Sequence, residues 1–253
     1  MFDPRARQKS NRSELRNLLL LSGFLAVIFY VFVQPERLDL TLSDDQCQQL
    51  NHQWQTKYQS DFTFSESWKR DEFDCPSVRS GLVRGLQFLD QLQIQPTAGA
   101  GRGVDFYQRL QRQSPVLHRD LLFSRAGRAR FDDRRVTLND LVLADNNPLQ
   151  VASILVHEMR HLEEGINTHV PCQRDRSMVC DAALIDDPQN GGAYNFNIYF
   201  LHLVRQHSNA SAFHKKLAQR QMQTIFNNHF NQLPPDAAEK YQLEEPDWLS
   251  ASR

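Results

Sequence analysis

A continuous apolar run near the N-terminus sets the first constraint on this 253-residue chain. Residues 18–33 read LLLLSGFLAVIFYVFV, sixteen positions without a charge. As a helix this run extends about 24 Å; polar Asn17 and Gln34 at its ends, with a snorkelling Arg16, help it to match a hydrocarbon core of about 30 Å. The preceding segment is basic through Arg5, Arg7, Lys9, Arg12 and Arg16. Because basic residues beside an apolar run favour the cytoplasmic side, we expect a single-pass transmembrane helix.

This anchor predicts how the rest of the chain is organised. We expect a cytoplasmic N-terminus at 1–17, the transmembrane anchor at 18–33, a juxtamembrane linker at 34–42 and an extracytoplasmic domain at 43–253. Within that domain, 43–120 is a helical N-terminal part, 121–233 holds the candidate metal site, and 234–253 is a tail that docks through Trp248. The alternatives are a cleavable signal peptide and a buried core helix. Residues 33–37 offer no small residues for signal cleavage.

The cysteines are consistent with an oxidising compartment. All four lie after the apolar run, at Cys47, Cys75, Cys172 and Cys180. An even number allows two disulfides in three possible connectivities. Proximity in the chain favours Cys47–Cys75 and Cys172–Cys180, with four buried free thiols as the alternative. No Cys-x-x-Cys pair is present, which argues against a cysteine zinc site.

The remainder of the chain reads mainly as helices. Ser43, ahead of two Asp residues, predicts a helix start because a hydroxyl caps the first turn and acidic side chains favour the positive end of the helix dipole. Apolar spacing predicts helices at about 78–92, 104–110, 148–164, 193–206 and 210–230. The helix predicted at 148–164 begins with Asn146 or Asn147 as its cap and stops before Gly165. A period-two pattern within 128–144 predicts short strands or a hairpin, so we expect an α+β, mainly helical fold.

The chemistry is concentrated in one pentapeptide on the helix predicted at 148–164. It reads His157-Glu158-Met159-Arg160-His161. Four residues advance a helix by slightly more than one turn, so His157 and His161 lie on one face and can share a metal ion. Zinc would lower the pKa of a bound water, and Glu158, offset by about 100 degrees, could accept its proton as a general base. The alternative is a surface strip in which these side chains make ordinary hydrogen bonds.

With this motif the chain resembles the zincin-type metallopeptidases, whose active-site helix carries His-Glu-x-x-His. The resemblance covers the motif helix and the flanking region of about 130–200. It implies that His157 and His161 are zinc ligands and that Glu158 is the catalytic acid/base. It also implies an edge strand along the substrate cleft, a role suited to the strand-like residues before the helix.

More specifically, HEMRH followed by HVPC, CD and GGAY resembles small bacterial envelope-associated proteins of metallopeptidase type. That resemblance implies a bacterial inner-membrane protein whose main domain is periplasmic or extracellular.

The third metal ligand is predicted less directly. His169 follows His161 by eight residues, whereas the metzincin pattern has six. A Cys172–Cys180 disulfide could fix this loop and direct His169 towards the metal. Asp181 is the alternative third ligand, because a carboxylate can also complete a catalytic zinc site. The gluzincin pattern, with a Glu on a later helix, finds no match because residues 193–206 contain no Glu.

A glycine pair followed by Tyr194 leads into the helix predicted at 193–206. Tyr194 could polarise a substrate carbonyl or stabilise an oxyanion, and the alternative is a packed aromatic side chain. The remaining helical histidines have no metal-ligand spacing and are expected at the surface or in helix packing; they are His202, His207, His214 and His229.

Together these features predict a membrane-anchored extracytoplasmic zinc-dependent hydrolase. The expected activity is that of a peptidase, with a peptide or an envelope polymer as substrate and no nucleic-acid partner. A net charge of −1 argues against a dedicated nucleic-acid binder. The alternative is a non-catalytic envelope protein, structural or polymer-binding through the Arg-rich region 102–135, in which zinc is structural or absent.

Overall fold

Four long helices form the framework in the part of the chain that the structure describes, and three of them begin at a side chain that caps the first turn. The computed structural model describes residues 42–68, 75, 77–92, 105–120, 127–130, 132–145, 147–163, 169–185, 187 and 190–247. The long helices are α2 (Val78–Gln91), α5 (Pro148–His161), α6 (Ala193–Gln206) and α7 (Ala212–Asn228). Ser77, Asn147 and Ser211 cap α2, α5 and α7, as short polar side chains do at helix starts.

The helix nearest the described N-terminus is held by the first disulfide. Helix α1 (Asp44–Gln53) starts at Ser43, whose hydroxyl and the side chain of Gln46 form a reciprocal cap, as predicted. The helix continues through a π-helical segment, Trp54–Tyr58, and an α-helical turn, Gln59–Asp61. The Cys47–Cys75 disulfide ties α1 to the residues just before α2. This pairing confirms the expected one.

A four-stranded sheet lies beside the helices in the order β1-β2-β4-β3. Its strands are β1 (Thr63–Phe64), β2 (Val116–Asp120), β3 (Gly127–Arg130) and β4 (Arg135–Asn139). Strands β1, β2 and β4 are parallel, and β3 runs antiparallel to β4 at the edge. The β3–β4 pair confirms the hairpin predicted within 128–144, while the two parallel strands were not expected from the sequence pattern.

Three further α-helices are short, and a 3-10 helix spans Glu66–Trp68. The three α-helices are α3 (Phe106–Arg112), α4 (Asp140–Ala144) and α8 (Ala237–Tyr241). Helix α4 follows β4 directly, so the period-two pattern predicted over 128–144 gives way to a helix in its last five residues.

Helix α5 occupies the centre of the fold, because it packs against α2 on one side and α6 on the other, while α7 packs on α6. The core between these helices is apolar and closed to solvent. Its fully buried members include Leu82, Leu86, Leu155, Phe196, Phe200, Met222 and Phe226. The chain is therefore α+β and mainly helical, as expected.

Several predictions fall on residues outside the described ones. They are the cytoplasmic segment 1–17, the anchor 18–33, almost all of the linker 34–42, the helix stop at Gly165 and the docking of Trp248. Among the described residues, no helix is both long and apolar enough to cross a membrane. Helix α5 ends at His161, about one turn earlier than predicted, and Leu162 is its C-cap.

Candidate metal centre

Two of the three candidate ligands come from one face of α5. The side chain of Asn147 accepts a hydrogen bond from the backbone nitrogen of Gln150 at 3.2 Å, and Pro148 occupies the first turn. These features fix where the helix starts and therefore which residues face the core. The Nε2 atoms of His157 and His161 then lie 3.3 Å apart. The opposite face is anchored in the core by Leu149, Val151, Leu155, Val156 and Met159.

The third candidate, His169, reaches the same point from a separate loop. Its Nε2 lies 3.2 Å from that of His157 and 3.0 Å from that of His161. The three Nε2 atoms form a triangle, and the circle through them has a radius of about 1.8 Å. This radius is smaller than a zinc–imidazole bond of about 2.0–2.1 Å, so an ion slightly above the plane of the triangle can bond to all three atoms. One ion can therefore contact all three nitrogens at once, and the group can bind a metal ion.

A small disulfide-bonded hairpin holds this loop in place. Strands β5 (Val170–Pro171) and β6 (Val179–Cys180) pair antiparallel. The Cys172–Cys180 disulfide closes the hairpin, which confirms the second expected pairing. His169 directly precedes β5 and Asp181 directly follows β6, so the hairpin brings these two side chains together at its open end.

Asp181 lies behind His169 and contacts the ring nitrogen opposite the shared point. The Nδ1–H of His169 donates to Oδ1 of Asp181 at 3.2 Å, which leaves Nε2 of His169 with its lone pair. The other carboxylate oxygen accepts from the backbone nitrogen of Asn195 at 2.9 Å and from its side chain at 3.2 Å. Asp181, predicted as the alternative third ligand, is thus placed to orient His169, and it is absent from the group of three that can share an ion.

The glycine pair before α6 makes room for this carboxylate. A Cβ on Gly192 would lie 2.4 Å from Cγ of Asp181, so any side chain there would displace it. Gly192 is also the N-cap position of α6, where it supplies no capping side chain. Asp181 supplies that function from outside the helix, because a carboxylate near a helix N-terminus accepts free backbone N–H groups and meets the positive end of the dipole.

Glu158 lies on the wall of the same cavity, beside the edge strand. It is buried, and it lies against the backbone of Gly127 at the start of β3. A Cβ on Gly127 would come within 2.6 Å of Ile154 and 2.9 Å of the Glu158 carboxylate. Glycine at this position therefore lets β3 approach α5 closely.

Tyr194 is packed among histidine rings. It stacks on His169 with ring centroids 4.7 Å apart and on His229 at 4.1 Å, and its ring meets the edge of His157 at 4.6 Å. Tyr194 therefore braces two of the three candidate ligands, as a packed aromatic side chain would.

His229 is a cavity residue that was expected at the surface or in helix packing. It follows α7, and its Nδ1–H donates to the backbone oxygen of Val179 at 2.9 Å. That hydrogen bond leaves the lone pair of the neutral ring on Nε2. The position depends on the bridge that pairs Asp181 with Phe230, so no local spacing in the sequence could indicate it.

An open cavity of about 760 Å³ is lined by the three candidate ligands together with Glu158, Tyr194 and His229. Both β3 and the β5–β6 hairpin contribute to its walls, with α5 and α6 between them. Its lining residues are Gly127, Arg128, Ala129, Ile154, His157, Glu158, His161, His169, Ser177, Met178, Val179, Tyr194, Asn197 and His229.

His157 and His229 are held in an environment that favours the neutral form of each ring. Burial, with His161, His169 and His229 nearby, lowers the pKa of His157 well below its usual value. Burial also lowers the pKa of His229, although its hydrogen bond to Val179 acts in the opposite direction. A neutral imidazole is the form that binds a metal, so the lowered pKa of His157 favours ligation by that ring near neutral pH.

A buried ion-pair network fixes the far side of α5. Arg160 donates to the backbone oxygen of Gly191 at 3.0 and 2.8 Å and also pairs with Glu163. Glu163 is held in turn by Arg109 at 2.5 and 2.8 Å. Burial alone would raise the pKa of Glu163, but the two arginines hold it below its usual value. Glu163 thus serves this network rather than the metal site, and the network ties α5 to the start of α6.

No protein-family model, curated protein or solved structure matches this chain.

Proposed function

We propose that this chain is a membrane-anchored, extracytoplasmic zinc-dependent hydrolase that cleaves peptide bonds. The observation that carries the proposal is the grouping of three imidazole nitrogens 3.0–3.3 Å apart in an open cavity that also contains Glu158. His157, His161 and His169 would hold the ion. Three protein ligands and an open position are typical of catalytic zinc sites, whereas structural sites have four protein ligands.

The roles of the protein groups follow from their places. When bound, zinc lowers the pKa of a water and polarises a substrate carbonyl. Glu158 accepts the proton of the attacking water at its carboxylate and returns it to the leaving amine. Asp181 fixes the tautomer and direction of His169. Tyr194 holds the His169 ring by stacking, and its hydroxyl is proposed to stabilise the oxyanion.

The edge strand supports a peptide as the substrate. In the described sheet, β3 pairs with β4 on one side only, and its residues line the cavity next to Glu158. A free strand edge offers backbone donors and acceptors to an extended peptide. The same combination of an antiparallel edge strand and a His-Glu-x-x-His helix supports the proposed zincin-like fold.

The proposed location rests on the apolar run and on the disulfides. Residues 18–33 with their basic flank favour an anchor in the bacterial inner membrane. Two disulfides in the described domain, with no free cysteine, fit an oxidising compartment such as the periplasm.

The competing function is a non-catalytic envelope protein with a structural metal. Such a site would enclose the ion with four protein ligands. His229 is the nearest further histidine in the cavity, but it is not a member of the group that can share an ion. The open cavity therefore favours catalysis over a structural role.

The decisive experiment compares wild type with Glu158→Gln in the full-length chain purified in a mild detergent. Wild type is expected to bind one zinc ion per chain and to cleave members of a synthetic peptide mixture, followed by mass spectrometry. Glu158→Gln removes the base but no ligand, so it should retain zinc and lose turnover by several hundred-fold or more, since general acid–base catalysis contributes roughly 10²–10⁴-fold. Stoichiometric zinc with no peptide cleavage by wild type would favour the structural alternative.

A further inference from the structure

A side-chain amide faces the cavity about one helical turn from the candidate metal centre. Asn197 is 7% exposed and lines the cavity. Its Oδ1 accepts a hydrogen bond from the hydroxyl of Ser153 at 2.8 Å, within the buried contact between α5 and α6. This bond occupies Oδ1 and leaves Nδ2 as the polar atom with which Asn197 can bind a group in the cavity that it lines.

The donors of Asn197 have no protein acceptor among the described residues. The hydrogen bond from Ser153 is the one that this side chain makes there. A side-chain amide carries two N–H donors, and Nδ2 of Asn197 is not among the described buried polar atoms that lack a partner, so solvent reaches it. A ligand carbonyl in the cavity would satisfy it, with solvent in that place when the cavity is free.

The position of the amide relative to the histidines matches the repeat of an extended peptide. Ser153 precedes His157 by four residues on α5, an axial rise of about 6 Å. Across the contact, Asn197 meets Ser153 while Tyr194 meets His157. In an extended peptide, carbonyls on one edge recur every two residues, about 6.6–6.8 Å apart. An extended peptide that lies along α5 with one carbonyl at the metal centre would therefore place another carbonyl near Asn197.

We infer that Asn197 is a substrate-binding residue whose side-chain amide donates a hydrogen bond to a peptide carbonyl two residues away from the cleaved bond, and that Ser153 holds this amide in position. The inference rests on the proposed peptidase function and adds a subsite to it. It assigns the cavity a preference for extended peptides that reach beyond the scissile bond.

The test uses zinc-loaded full-length protein and hydroxamates that differ only in the length of the peptide attached to the metal-binding group. Acetohydroxamic acid contacts the metal centre alone, whereas peptide hydroxamates with two alanines on either the N-terminal or the C-terminal side also present the more distant carbonyl. Asn197→Asp keeps an acceptor for Ser153 but removes the donors, and Asn197→Leu removes both. Each should weaken one of the two extended hydroxamates about 3- to 10-fold, the effect of losing one hydrogen bond.

The controls separate recognition of the peptide from damage to the site. Zinc affinity and acetohydroxamic acid affinity should stay unchanged in both variants, and Asn209→Ala, at an exposed asparagine, should leave all affinities unchanged. Ser153→Ala leaves Asn197 in place and should produce a smaller loss for the same extended hydroxamate. It keeps the inference testable if the Asn197 variants do not fold.

Three results would overturn the inference. Both extended hydroxamates could bind the variants as well as wild type, or acetohydroxamic acid could be weakened equally, or wild type could bind extended and short hydroxamates alike. In each of these cases zinc binding survives, so the proposed metal site stands. Failure of wild type to bind zinc would overturn the proposed function and this subsite with it.

Discussion

The two sides of the candidate metal centre are built in different ways. On one side, α5 supplies His157 and His161 from a single regular helix whose cap and apolar face set their positions. On the other, His169 comes from a loop that depends on a hairpin, a disulfide and the Asp181 carboxylate. The helical side needs only one regular helix, whereas the loop side needs a strand pairing, a disulfide and a side-chain hydrogen bond to form together. The two sides should therefore respond differently to perturbation.

The largest effect is expected from removing a ligand on the helical side. His161→Ala leaves two imidazoles at the shared point and should lower zinc affinity by more than about 100-fold, beyond the usual effect of losing an outer-shell partner. The change should leave the unfolding temperature of the metal-free protein nearly unchanged, because His161 is only half-buried. Isothermal titration calorimetry measures the affinity, and a loss below tenfold would contradict the assigned ligand set.

The two disulfides offer the sharpest comparison between the site and the rest of the domain. Loop lengths predict that removing Cys47–Cys75, with 28 residues of separation, costs about 3.6 kcal/mol of unfolding free energy. Removing Cys172–Cys180, with a separation of 8, costs about 2.5 kcal/mol by the same relation.

Zinc affinity should follow the opposite order. Cys172→Ser with Cys180→Ser frees the loop that carries His169 and should weaken zinc binding about 10- to 100-fold, as loss of an orienting contact does. Cys47→Ser with Cys75→Ser should leave zinc affinity unchanged despite the larger stability loss. If the two double variants weaken zinc binding equally, the disulfide of the hairpin has no specific role in positioning His169.

A smaller effect is expected from Asp181→Asn, which keeps the shape but removes the negative charge. His169 loses its charge-assisted partner, and zinc affinity should fall about tenfold, at the low end of the range for such partners. The control is Asp175→Asn on the exposed turn of the same hairpin, where the carboxylate accepts hydrogen bonds from Ser177. If both substitutions weaken zinc equally, Asp181 has no special role in orienting the ligand.

The smallest effect concerns the stability of the metal-free protein between pH 7.5 and pH 5. The folded-state pKa of His157 and His229 is lowered by burial, so the unfolded chain binds more protons as the pH falls through about 6.5. The unfolding free energy should therefore decrease on acidification over this range and level off above it. His229→Gln should reduce this dependence of the unfolding free energy on pH, which chemical denaturation at a series of pH values measures. If the variant shows the same pH dependence as wild type, burial of the His229 ring is contradicted.

The sequence was sufficient for the helical side because its signals are local. The helix cap at Asn147 and Pro148 and the four-residue spacing of His157 and His161 all lie within one helix. Each disulfide joins a cysteine to the next cysteine along the chain. His169 and Asp181 could be identified as candidates from the sequence. Which of them faces the metal and which lies behind the other depends on the pairing of β5 with β6.

His229 and Asn197 gave no such signal in the sequence. His229 enters the cavity through the bridge between residues 181 and 230, and Asn197 through the packing of α6 on α5. The parallel strands β1 and β2 were missed for the same reason, because their partners are far away in sequence.

X-ray absorption spectroscopy of the zinc-loaded full-length chain can count the imidazole ligands of the proposed site. We expect one zinc ion per chain, bound by three imidazole nitrogens at about 2.0–2.1 Å and by one further light atom from solvent. His169→Ala should reduce the imidazole count to two, while His229→Gln should leave it at three. A site with four protein ligands, or a wild-type chain that retains no stoichiometric zinc, would rule out a catalytic centre of three histidines and an open position.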